Sequence, residues 1–546
     1  MALGFERVTH HRPARELWTA GFVALSMALA APVGRAQAEE DAAVALPTRA
    51  LPSVLGYQGT TRGDVDAFLG VRYAAAARWQ TPQLLLPPQI DEGAVQTGGR
   101  RLVAAQAYPP ACAQTPHIVN WYRDVITDFG GDPESFGAPE FAEDCLFLNI
   151  WTPTRAQDAA LPVIVYIHGG SNRGGWSFEP NYEGRRLAAL GAVVVSINYR
   201  LGVFGFFAHP AIKDANFALL DQLAALNWVA QYIGHFGGDA NNVTVMGESA
   251  GASNIDFLLA SPKAAGLFHR AIHQSAGWAI NGRVSRVEAE ALALELTTQL
   301  SPVDQATSAH EALLAVSGVD SAQVLVASQG IYNDYFFDPI AGYASLPKPA
   351  AAVFDDSAIH PVDLLIGANA DEWLMYLDPE DTVQAVLNES ISRSKQAAVM
   401  QALAGLSTHE ALDTLLTAVN YVCPSQRIAD AVVARGGRSW FYYFDKKRQG
   451  TLAQRMGAYH GAELPYVFGT HDDWLPTDES DLALSELMMR YWVNFARTGD
   501  PNSADLPRWP AFGVTQQSGQ IGRDVLRLGA RVAPAVHPSQ QLCDAL

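Results

Sequence analysis

The chain has 546 residues, 49% of them hydrophobic and 17% charged, enough apolar material for a large globular core. A formal net charge of −19 excludes a basic nucleic-acid face and gives no attraction to an anionic membrane surface; it favours solubility. No internal repeat, low-complexity tract or Gly/Ser-rich linker divides the sequence.

Residues 1–38 read as a secretory leader. Arg12 and Arg15 precede the apolar run LWTAGFVALSMALAAPVG, and RAQA ends at Ala38. A positive start, a short apolar centre and an Ala-x-Ala site are the marks of cleavage after export. The two arginines are not adjacent, so the general secretory route is expected. The run is too short and interrupted to span a bilayer. The mature chain, residues 39–546, is expected to form one soluble domain, periplasmic or secreted. Its four cysteines, Cys112, Cys145, Cys423 and Cys543, suggest two disulfides, with three pairings open to four cysteines. None has Cys-x-x-Cys spacing, and neither a metal nor an organic cofactor is expected.

Three apolar runs follow: LPVIVYIHGG at 161–170, GAVVVSINYRLG at 191–202 and NVTVMGESAG at 242–251. Each reads as a strand buried on both faces. Between the second and third, NFALLDQLAALNWVAQYIGHFGG at 216–238 has helical spacing and closes on glycines. Strand, helix and strand in succession predict a mostly parallel, twisted sheet with helices on both faces. Residues 281–327 and 378–435 are also helical in pattern.

The third strand runs straight into Gly247-Glu248-Ser249-Ala250-Gly251, and ASNIDFLLAS continues with helical spacing. Gly-x-Ser-x-Gly in an arbitrary loop carries no meaning. Between a strand and a helix it predicts a sharp turn that lifts the serine hydroxyl clear of the sheet, with glycines where a β-carbon has no room. A serine hydroxyl is a poor nucleophile until a base takes its proton and an acid orients the base. His460, in the glycine-flanked stretch GAYHGAELPYVFG, is the expected base. Asp371 and Glu372 both follow the apolar strand at 362–367, and the residues alone leave the acid open between them. The N–H of Ala250, at the start of the following helix, is placed to stabilise an oxyanion.

AFLGVRYA (67–74), EDCLFLNIWTP (143–153), NYRLGVFGF (198–206), FGGDANNVTVMGESAGA (236–252), GLFHRAIHQSAG (266–277), YHGAELPYVFG (459–469) and RYWVNFARTGDPN (490–502) occur in that order. In these blocks the chain resembles the type-B carboxylesterases, the family of the cholinesterases and many bacterial esterases. The resemblance implies an α/β-hydrolase fold with helical insertions around an active-site gorge. It also implies a serine ester hydrolase with Ser249, Glu372 and His460 as triad, Asp371 remaining the lesser candidate for the acid. Trp373 stands where the family has glycine after the glutamate.

The same resemblance adds Gly170 and Ser171 to Ala250 as oxyanion donors, from a block reading Gly169-Gly170-Ser171 where the family has three glycines. Glu248 and Ser275 are expected beneath the triad. The disulfides are expected as Cys112–Cys145 and Cys423–Cys543. Trp121, Tyr122 and Phe129 are candidates for the gorge lip, and Trp278 with residues 332–337 for the acyl side. Asn172 and Arg173 directly follow the oxyanion residues, so both are candidates for substrate binding, the arginine as a clamp on a substrate carboxylate. Esters of polycarboxylic acids, of the fumonisin tricarballylate type, would suit it. An amidase or carbamate hydrolase would use the same triad. A non-catalytic binding module would lack the serine or the histidine, and both are present. The partner expected is a small-molecule ester.

Overall fold

Strand Leu161–Ile167 shows how the sheet is buried. Its β-branched residues leave no polar face, and alternate side chains enter two different cores. Val163, Val165 and Ile167 join one apolar cluster, with helices Phe217–Tyr232 and Ala250–Ala260. Ile164 and Tyr166 join the other, with helix Glu479–Thr498. A strand whose alternate residues both meet helices must lie inside a three-layer structure.

The computed structural model describes residues 52–88, 102–156, 158–282, 284–301, 308–333, 335–378, 380–513 and 523–546. The leader expected over 1–38 lies outside the described residues. The central sheet has eleven strands. In chain order they are β1 Thr60–Arg62, β2 Val65–Arg72, β3 Phe147–Pro153, β4 Leu161–Ile167, β5 Val193–Ile197, β6 Gly238–Glu248, β7 Arg270–Gln274, β8 Asp363–Asn369, β9 Ser439–Phe444, β10 Asp524–Leu528 and β11 Ala533–Val536. Across the sheet they lie 1-2-3-5-4-6-7-8-9-10-11. From β5 to β10 every pairing is parallel, and the outer pairings are antiparallel. The predicted mostly parallel sheet is therefore the one that forms.

The chain leaves β4 for β5 on one side and returns to β6 on the other, which opens a crevice at the carboxyl ends of β4 and β6. Every sequence-predicted triad residue lies beyond the carboxyl end of a parallel strand. Ser249 follows β6, Glu372 follows β8, and His460 follows β9 after a longer excursion.

The two helical insertions also form. The first holds Arg286–Leu300, Ala309–Ser317 and Ser321–Ile331; the second holds Val383–Ser390, Arg393–Ala402, Thr408–Thr417 and Cys423–Ala434. Residues Ala418–Val422 widen into a π-helical turn between the last two. Both disulfides are present in the expected pairing. Cys112–Cys145 closes the loop that contains helix His117–Asp128, and Cys423–Cys543 ties the C-terminal helix Gln540–Ala545 to the second insertion.

Candidate active site

The bend after β6 is set by sterics. Ser249 has φ 54° and ψ −126°, a region that a side chain rarely occupies. The residues two positions away on either side have to be glycines. A Cβ on Gly247 would stand 2.5 Å from the carbonyl carbon of Gly251, and one on Gly251 would stand 2.0 Å from the carbonyl oxygen of Ile167. The serine is the residue left to face the crevice, at the head of helix Ala250–Ala260.

His460 reaches Ser249 from 211 residues further along the chain, with Nε2 2.8 Å from Oγ. Its Nδ1 lies 2.6 Å from Glu372 Oε2. A carboxylate only accepts, so Nδ1 carries the proton and Nε2 is left to accept from the serine. The other oxygen of Glu372 accepts the N–H of Asn369 at 2.7 Å, which fixes the carboxylate. Asp371 points elsewhere: it accepts the N–H of Ala458 at 2.7 Å and pairs with Lys447 at 3.1 Å. Of the two adjacent carboxylates, Glu372 is the one that contacts the imidazole. Trp373 has φ −103°, so its position makes no demand for glycine.

A polar network braces this assembly. Glu463 is buried; it accepts from Gln274 at 2.9 Å and from Asn369 at 2.6 Å, and Trp492 donates to Gln274 at 3.1 Å. The ends of β7 and β8 are thereby joined to the His460 segment. Ser275, with φ 53°, is buried and gives its N–H to Gly367 at 2.9 Å.

Burial alone would depress His460, because it disfavours the imidazolium; Glu248, then Glu372 and Glu463, outweigh it and raise the ring to about 9. Glu248 Oε1 lies 3.4 Å from Nε2. Burial also pushes Glu248 well above the ordinary carboxylate range, with His460 opposing. Each group therefore favours the charged form of the other.

The loop after β4 passes directly beside the serine. A Cβ on Gly169 would come within 3.0 Å of Ser249 Cβ and 2.8 Å of Glu248 Oε2. Gly170, Ser171 and Asn172 have φ of 103°, 56° and 55° in succession. Ser171 is exposed, whereas Asn172 is wholly buried. Arg173 Nη2 donates to the carbonyls of Tyr332 and Asn333 at 2.9 Å each and of Tyr335 at 2.5 Å, with the guanidinium over the Phe337 ring.

Such a serine, imidazole and carboxylate in line, at the carboxyl edge of a parallel sheet, is the equipment of acyl transfer. The model of the carboxylesterase family matches residues 43–529. The chain belongs to the carboxylesterase family. It is similar to the fumonisin B1 esterase of Sphingopyxis macrogoltabida, at 31% identity over 88% of this chain and 86% of that protein. It is equally similar to the para-nitrobenzyl esterase of Bacillus subtilis, at 31% identity over 83% of this chain and 90% of the relative. Among solved structures, a thermophilic para-nitrobenzyl esterase superposes with a TM-score of 0.73 at 28% identity, covering 90% of this chain and 97% of that one. The fold is the α/β-hydrolase fold, and this carboxylesterase is a carboxylic-ester hydrolase.

The structure separates the aromatic candidates. Tyr122 and Phe129 are buried in the core, while Trp121 is half-buried and donates from Nε1 to Tyr376 Oη at 3.0 Å. Trp278 stands against Tyr421, with ring centroids 5.7 Å apart. Tyr421 in turn lies 5.2 Å from the His460 ring, and Tyr376 lies 6.5 Å from it. Sequence reasoning missed both tyrosines of this esterase. Tyr376 is four residues beyond Glu372 and was within reach of an argument from proximity; Tyr421 lies in the π-helical turn, which apolar periodicity does not reveal.

Proposed function

We propose that this esterase works through an acyl-enzyme on Ser249. The hydroxyl attacks the ester carbonyl as His460 Nε2 takes its proton. The N–H groups of Gly170, Ser171 and Ala250 donate to the carbonyl oxygen as it becomes negative, and these donors act most strongly in a site that excludes water. Glu372 holds the ring in the productive tautomer and stabilises the imidazolium. On collapse of the tetrahedral species, Nε2–H protonates the departing alcohol. Water then gives a proton to Nε2 as it attacks the acyl group, and on collapse Nε2–H returns that proton to Ser249 Oγ as the acid is released. Glu248 beside Nε2 and Ser275 beneath the crevice support the arrangement.

The observation that carries this reading is the unbroken line from Ser249 Oγ through His460 to Glu372, at 2.8 and 2.6 Å. A second, narrower reading is favoured by the likeness to fumonisin B1 esterase: an ester that bears carboxylates, met by Arg173. A substrate carboxylate there competes with three backbone carbonyls for Nη2. Two disulfides support a mature protein made in an oxidising compartment, and no helix among the described residues is long and apolar enough to cross a membrane.

One panel tests both readings. Neutral nitrophenyl esters, polycarboxylate esters and matching amides are assayed with the wild type, Ser249→Ala and Arg173→Ala, with and without a sulfonyl fluoride. Ser249→Ala should lose about 10⁴-fold or more in kcat, and the sulfonyl fluoride should inactivate only the wild type and Arg173→Ala. Retained activity in Ser249→Ala overturns the mechanism. Equal loss on neutral and anionic esters in Arg173→Ala overturns the carboxylate reading alone, and faster turnover of the amides overturns the ester preference.

A further inference from the structure

We propose that Asn172 and Asn254 form a clamp that sets the oxyanion loop against the helix carrying Ala250, so that both asparagines are positioning residues for transition-state stabilisation. The inference rests on the acyl-enzyme reading above.

The oxyanion donors come from two separate pieces of chain. Gly170 and Ser171 belong to the loop after β4; Ala250 belongs to helix Ala250–Ala260. An oxyanion is served only where all donors converge within hydrogen-bond range of one point, so the loop and the helix must keep a fixed relation. The loop closes a turn of its own, with the N–H groups of Arg173 and Gly174 on the Gly170 carbonyl at 3.0 and 3.1 Å, but at a cost in backbone strain. Three successive residues have positive φ, and only Gly170 adopts that conformation without strain. Asparagine is among the side chains best tolerated there, provided that its amide is bound.

At Asn172 the amide is bound completely. Its Oδ1 accepts from Asn254 Nδ2 at 2.8 Å and from Tyr199 Oη at 3.2 Å. Its Nδ2 donates to Asn254 Oδ1 at 3.3 Å and to the carbonyl of Phe337 at 2.7 Å. Its backbone carbonyl takes the N–H of Gly202 at 2.7 Å. Asn254 lies within the helix headed by Ala250, and both asparagines have 0% exposure. The bond between the side chains runs in both directions, so it fixes angle as well as distance. It stands apart from the line of Ser249, His460 and Glu372, so its removal displaces the donors while leaving the base and the nucleophile paired.

The test uses Asn254→Ala, the milder Asn254→Ser, Asn172→Ala and the double variant Asn172→Ala/Asn254→Ala. Each is assayed below its own unfolding midpoint, with Ser249→Ala alongside. Readouts are kcat and KM on a nitrophenyl ester, the pH profile, and the affinity of a trifluoromethyl ketone, which presents the oxyanion. The clamp predicts kcat lower by about 10²-fold, the loss that a small misplacement of reacting groups brings. It predicts KM nearly unchanged, ketone affinity falling in step with kcat/KM, an unmoved acid limb, and a double variant hardly worse than either single one. Unchanged kcat and ketone affinity in Asn254→Ala and Asn254→Ser overturn the clamp, as does a loss confined to stability or to KM. Activity surviving in Ser249→Ala would instead overturn the acyl-enzyme reading beneath it.

Discussion

At Ser249 the backbone stays at φ 54° because everything around it is over-determined: two glycines, the head of a helix and the bond to His460. The imidazole answers to three carboxylates, Glu248 through its charge, Glu372 through its charge and a hydrogen bond, and Glu463 through its charge. Glu248→Gln removes the Glu248 charge and keeps the shape. The neutral imidazole then forms at lower pH, so the acid limb of kcat/KM should move down by about one pH unit or more. A limb that stays in place or moves up contradicts this electrostatic support of the imidazolium by Glu248. Much at this scale was legible in the sequence. Ser249 and His460 announced themselves through glycine context and chain order. Asp371 and Glu372 could not be separated by residue type, since adjacent carboxylates differ only in where the backbone turns them. Asn172 was read as a substrate contact because it follows the oxyanion residues; its full burial depends on Asn254, Tyr199 and Phe337, all distant in the chain.

Among elements, the junction of β6 and helix Ala250–Ala260 has the least room. Gly251 passes so close to the end of β4 that its Cβ would meet a backbone carbonyl, which cannot step aside as a flexible side chain can. Gly251→Ala should cost about 3 kcal/mol and, even when folded, displace Ala250 and depress kcat. A stable, fully active Gly251→Ala contradicts this account of the turn. The strands were legible because burial on both faces leaves continuous apolar runs, whereas the periodicity of the first helical insertion is weak. Which side chains the second insertion brings to the site was not legible. Tyr421 lies in the π-helical turn Ala418–Val422, with its ring against Trp278, Trp373 and His460, all distant in the chain.

For the molecule as a whole, the disulfides tie peripheral segments to one another. In the chain-entropy model, closing sequence separations of 33 and 120 residues gives about 4 and about 5 kcal/mol respectively. Paired serine substitutions should lower the denaturation midpoint in both cases, more for Cys423–Cys543, and an unchanged midpoint contradicts the model for that bridge. The central claim is tested most directly by trapping the intermediate. The esterase is mixed with a slowly deacylating nitrophenyl ester, quenched in acid within one turnover, digested and weighed by mass spectrometry. The account predicts one equivalent of acyl mass on the peptide containing Ser249, absent in Ser249→Ala and discharged with time in the wild type. Acyl mass on another residue, or none during rapid turnover, would contradict it.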